Sequence, residues 1–141
     1  MHVTLVRTLV PDAVASDEVA SGLREELARR GVLEEGDGWP RIEVEVLRAD
    51  ETSEGIAARP NRPVARATDV ALVARAWVVA APGSSPQSDT GDLRAEDTIA
   101  VDSNAATGAQ DPRASAFHRA DALNAAARRL GRELARRIAG P

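Results

Sequence analysis

Few side chains in this sequence stand at spacings that could do chemistry. Ser115, His118 and Asp121 recur every three residues and form, on paper, a nucleophile–base–acid series. A triad has to converge in a pocket from separate elements, whereas three residues on one helical segment lie along a single surface, so they are expected on a solvated helix face. Glu43 and Glu45 are paired carboxylates, but alternation along a strand puts both on its water-facing side, where acids keep the chain soluble and discourage edge pairing. Asp89, Asp92, Glu96 and Asp97 gather around one loop-like segment and have the oxygen chemistry for a hard cation, without the spacing of a calcium-binding loop. Gly36-Asp37-Gly38 lacks the lysine and the following helix of a phosphate loop, and Thr107-Gly108 reads as a turn. His2 is close enough to the terminus to be expected to fray. The expectation is a protein that is not an enzyme and uses no cofactor or metal.

Arginine is the remaining polar chemistry. All 18 basic residues are Arg, with no Lys, so each one says less about a chosen guanidinium than usual. Arg128, Arg129, Arg132 and Arg136 are expected on the outer face of a C-terminal helix, where an anionic partner such as a lipid phosphate is the sharper alternative to plain solvation. Arg59, Arg62 and Arg66 cluster in and beside Arg-Pro-Asn-Arg-Pro and are the candidate contacts for a partner or a lipid.

The elements that must position these residues can be read from period and punctuation. Residues 2–10 form a strand ended by Pro11. An amphipathic helix follows, with Ser16 as its expected N-cap and Asp17 and Glu18 in the first turn. Val19, Leu23 and Leu27 make its apolar stripe. Glu25–Arg29 and Glu26–Arg30 are favourable i,i+4 pairs, and Gly31 is its stop. Arg41-Ile42-Glu43-Val44-Glu45-Val46 alternates as a half-buried strand that continues into the 50s. Residues 59–63 form a hairpin tip, since two prolines do not fit inside a paired strand. A third strand over about 66–81 carries apolar residues on both faces, as a central strand does. Trp77 lies on the face opposite Leu72 and needs a cover of its own. Residues 82–96 and 102–113 read as flexible loops around a short strand at 98–101. A long helix over about 114–139 carries a stripe of Ala116, Ala120, Leu123, Ala127, Leu130, Leu134 and Ile138.

One domain suits 141 residues. The order β-α-β-β-β-α predicts an α+β two-layer sandwich, with two helices on one face of a mostly antiparallel four-stranded sheet. A net charge of −4 argues against broad attraction to nucleic acid. No apolar run is long enough to span a membrane, residues 1–15 do not read as a signal peptide, and with no cysteine there is no disulfide or thiolate site. Three aromatic residues (two Trp, one Phe) are too few for a stacking platform.

Taken in order, Ser16-x-Glu18-Val19 through Leu23-Arg24-x-Glu26-Leu27-Ala28-Arg29-Arg30-Gly31, then Arg41–Val46, then Ala76-Trp77-Val78, then the closing run Ala125–Ile138, resemble the lipopolysaccharide-assembly lipoprotein family (LptE-like). The likeness spans nearly the whole chain. It implies two helices on a four-stranded sheet and a non-enzymatic outer-membrane lipoprotein on the periplasmic face. In the full-length protein it implies a lipid anchor on a cysteine that this sequence does not contain. The implied partners are an LptD-like outer-membrane β-barrel, which family members plug, and lipopolysaccharide, whose insertion they assist. A soluble small-molecule-binding or regulatory α+β domain is the alternative.

Overall fold

A computed structural model describes residues 1–55, 66–101 and 112–140. Its elements are β1 (His2–Thr8), α1 (Ala13–Arg29), β2 (Arg41–Gly55), β3 (Arg66–Val79), β4 (Leu93–Val101) and α2 (Pro112–Ala139). The four strands form one sheet in the order β1-β2-β3-β4. β1 runs parallel to β2, from His2 beside Arg41 to Thr8 beside Val46, and α1 is the crossover that such a parallel pair requires. β2–β3 and β3–β4 are antiparallel. This is the expected α+β sandwich in the expected order, with β3 central.

The period-2 and period-4 patterns account for the core. Val19, Leu23 and Leu27 of α1 meet Ile42, Val44 and Val46 of β2, Leu72, Ala74 and Ala76 of β3, and Ala127, Leu130 and Leu134 of α2 in one cluster, with Leu123 packed against it. α2 lies over β3 and β4, and α1 lies beside it towards β1 and β2. Both helices return antiparallel to the strand before them, so they run parallel to each other.

Several boundaries differ from the sequence reading, each for a local reason. β1 stops at Thr8 rather than residue 10, because Val10 turns inward and is buried. The N-cap of α1 is Asp12, not Ser16: Asp12 Oδ1 accepts the Ala15 N–H at 3.1 Å. Ser16 is buried inside the helix, and its hydroxyl meets that of Thr8 at 2.8 Å. β4 begins at Leu93, so residues 93–96, read as loop, are strand paired with β3. The segment before it is tied down by a Val78–Gln87 bridge and by the Thr90 hydroxyl, which accepts the Ala76 N–H at 3.0 Å. α2 begins at Pro112, a residue suited to a first turn because its missing N–H would have no helical partner there. The expected hairpin tip at 59–63 and most of the expected loop at 102–113 lie outside the described residues.

Two glycines set how closely the helices approach. A Cβ on Gly22 would lie 2.9 Å from the Arg128 Cα and closer still to the Arg128 carbonyl oxygen; one on Gly131 would lie 2.7 Å from the Leu23 nitrogen and closer to the Val19 carbonyl oxygen. Backbone meets backbone at this crossing, and no side chain can move aside to make room. Gly131→Ala gains about 1 kcal/mol of helix propensity but overpacks a contact at a cost of about 1–3 kcal/mol. The expected result is a net loss of up to about 2 kcal/mol in urea unfolding; a stabilised Gly131→Ala protein would contradict the crossing.

Candidate functional site

Three polar regions are built on this scaffold. The first covers the sheet face away from the helices. Glu43 and Glu45 point there, but neither is simply wet: Glu43 is half-buried and Glu45 is 5% exposed. Arg75 Nε donates to Glu45 Oε2 at 2.8 Å, with Arg7 3.8 Å from Oε1. Arg41 donates to Glu43 Oε1 at 2.5 Å, and Trp77 Nε1 donates to Glu43 Oε2 at 3.0 Å. The Arg75 guanidinium sits 5.5 Å from the Trp77 ring centre and that of Arg41 sits 3.9 Å from the Trp39 ring centre. Arg side chains and the two carboxylates are thus the cover Trp77 required. Further along, Arg48 and Arg94 share Asp50, and Arg94 also meets Glu96 at 3.2 Å. Glu43, Glu45, Asp50 and Glu96 on this face each meet an arginine, so Glu43 and Glu45 are tied to guanidiniums rather than paired with each other. Glu45 beside Asp89 and Asp92 holds the Arg75 pKa above its usual value, the Glu45 hydrogen bond being the largest cause.

The second region is the seam between the helices. The arginines of α2 do not point away from the protein, as expected, but reach across to it. Arg128 is hydrogen-bonded to Glu18, Arg132 lies 3.5 Å from Glu25, and Arg129 meets the Glu96 carbonyl oxygen at 2.7 Å and Asp97 at 3.3 Å. Their guanidiniums are occupied, which disfavours them as a free lipid-phosphate patch. The expected Glu25–Arg29 pair gives way to Glu25 with Arg128 and Arg132.

The third is a clasp at the foot of the seam. Glu26 is 2% exposed, and its carboxylate takes Arg29 at 2.5 Å, the expected i,i+4 partner Arg30 at 3.1 Å and Arg136 at 3.4 Å. Arg30 also donates to the Gly140 carbonyl at 2.6 Å. These cations, led by the Arg29 hydrogen bond, outweigh the burial that opposes ionisation and lower the Glu26 pKa from 4.5 to about 2.

The remaining candidates do not assemble. His118 and Asp121 are exposed on α2, and the Ser115 side chain lies outside those described. Glu96 and Asp97 project from opposite faces of β4, one to Arg94 and the other to Arg129, so they cannot share a cation with Asp89 and Asp92. No group of three metal-ligating side chains occurs among the described residues. His2 is not frayed: its Nδ1 lies 3.1 Å from the Gly36 carbonyl oxygen and its Nε2 3.3 Å from Glu34. Arg59 and Arg62 lie outside the described residues. Arg66 opens β3, its backbone in register with Gly55 and Val101, and its side chain is not described.

This fold recurs among solved structures. A minor lipoprotein from Acinetobacter baumannii superposes with a TM-score of 0.54 at 13% identity, covering 97% of this chain and 91% of its own. A protein from Caulobacter crescentus, also described as a lipoprotein, gives 0.56 at 14% identity over 94% and 85%. No family model and no curated protein matches the sequence.

The clasp makes a pH prediction. A carboxylate whose pKa is lowered on folding stabilises the native state above its unfolded value, and that contribution fades as pH falls towards the folded value. Glu26→Gln should therefore be less stable than the parent at pH 7, with the deficit shrinking between pH 4.5 and about 2. Urea unfolding of both proteins across that range checks it; a deficit independent of pH would rule out the charged clasp.

Proposed function

We propose that this chain is the globular part of a bacterial outer-membrane lipoprotein that works without catalysis, docking on a β-barrel partner at the periplasmic face and assisting lipopolysaccharide insertion. The observation that carries the reading is the shared fold with two proteins described as lipoproteins, over 91% and 85% of their own lengths. The run of helix punctuation and apolar spacing that resembles the LptE-like family points the same way. So does the way the described acids are used: Glu26, Glu43, Glu45, Glu96 and Asp97 are all committed to arginines, as in a scaffold rather than a reaction centre.

In this reading the β2–β3 hairpin is the working arm. Its strands stay paired as far as Gly55 and Arg66, and Arg59 and Arg62 belong to the connection between those two strand ends. Arginine is suited to the phosphates of a lipopolysaccharide because its planar fork can hold an oxyanion by two hydrogen bonds.

Expression of the complete gene in a Gram-negative host tests the proposal. Incorporation of labelled palmitate, together with recovery of an outer-membrane β-barrel on the tagged protein, is the expected result. Replacing Arg59, Arg62 and Arg66 together by Ala should weaken lipopolysaccharide binding several-fold while leaving the urea midpoint in place. A protein that takes up no palmitate and retains no barrel would end the proposal.

A further inference from the structure

The two helices are of unequal reach. Glu18 meets Arg128, Glu26 meets Arg136 and Arg30 meets Gly140, each pair 110 positions apart. α1 begins at Ala13, beside residue 123 on that offset, so the first eleven residues of α2 (112–122) have no α1 beside them. At 1.5 Å per residue the overhang is about 16 Å. No other described element covers its apolar stripe there: Ala116 and Ala120 are exposed rather than buried as expected, and Phe117 is 65% exposed. The β1–α1 turn brings Leu9 (53%) and Val14 (57%) to this same end of the sandwich. Leu9, Val14 and Phe117 are three of the five exposed large apolar side chains among the described residues.

We propose that this end of the sandwich is the docking site for a short basic amphipathic helix of another protein, lying alongside the α2 overhang where α1 would continue. The seam already built supplies the rule for what fits. On its side of α2, Arg128 and Arg132 are answered by Glu18 and Glu25 of α1. Asp121 stands two turns ahead of Arg128 on that side, is exposed, and meets no cation among the described residues. The occupant therefore carries an Arg or Lys opposite Asp121, where α1 carries acids opposite arginines. It lays an i, i+4, i+7 apolar row on Phe117, Ala120 and Val14. A second copy of the chain fits less well, because a two-fold contact between overhangs sets one acidic flank against its own equivalent. The proposal stands apart from the lipoprotein reading, since it uses only the helix seam.

The test uses the full chain and a fluorescein-labelled, Ala-rich helical peptide of about 18 residues bearing one Leu row and a single flanking Arg, with a second peptide carrying Glu in place of that Arg. Fluorescence anisotropy should show saturable binding of the Arg peptide, weakened about tenfold or more by Phe117→Ala. In Asp121→Arg the preference should reverse towards the Glu peptide. Both positions are exposed, and unchanged urea midpoints will show that the variants fold. Failure of the parent protein to bind the Arg peptide, equal binding of both peptides, or indifference to Phe117→Ala would overturn the proposal. So would a concentration-dependent dimer of the parent protein in sedimentation that Phe117→Ala disperses.

Discussion

The structure depends on the close crossing of α1 and α2 at Gly22 and Gly131. The α2 backbone at Arg128 lies against Gly22, and the α1 backbone at Val19 and Leu23 lies against Gly131. That closeness lets one pair of helices share a core with a sheet whose own core side chains are mostly Val and Ala. It also fixes the slide of α2 along α1, and the slide decides which charges can meet. The Glu18–Arg128, Glu25–Arg132 and Glu26–Arg136 contacts follow from that register. Surface ion pairs of this kind contribute little each, so they record the register more than they enforce it. Glu26 differs because it is buried, and three cations on it join the ends of both helices.

The two faces of the sheet solve the same problem by different means. One is covered by helices in the ordinary way. The other has no layer above it among the described residues, yet Val73 and Val79 are buried there. Long arginines lie over the sheet, their stems covering apolar surface and their heads held by carboxylates on neighbouring strands. The edges are guarded similarly: Arg24 donates to the Val3 carbonyl of β1 at 3.3 Å, and Arg129 donates to the Glu96 carbonyl of β4. Each helix thus spends one guanidinium on the exposed backbone of an outer strand, which makes strand addition by another chain less favourable.

Much of this was legible in the sequence, because the strongest signals are periodic. Alternation at 41–46 and the four-residue step of Val19, Leu23 and Leu27 state which side is buried, and the element order leaves few ways to cover it. What escaped was whatever depends on a neighbour. Gly22 and Gly131 carry no periodic signal, and their role shows only when a second helix stands against them. Asp12 and Ser16 are both good caps four residues apart, and only the burial of Ser16 against Thr8 separates them. Alternation gives the face of Glu45 but not the arginines above it. Likewise the stripe on α2 states which residues are apolar, not how far its partner reaches, so Ala116 and Ala120 look like core. The hairpin arginines, the one site suggested by position alone, fall at residues 59 and 62 and so outside the described part of the chain.

The parallel pairing of β1 with β2 has a consequence for how the chain becomes itself. β1 is made before α1 and the connection to Arg41, so it waits for its bonding neighbour until both have followed. α2 follows all four strands and brings Ala127, Leu130 and Leu134 to the cluster around Leu72. A nascent chain therefore carries a sheet roofed by α1 alone until α2 emerges, and a product cut short before residue 112 would display its interior to chaperones and proteases.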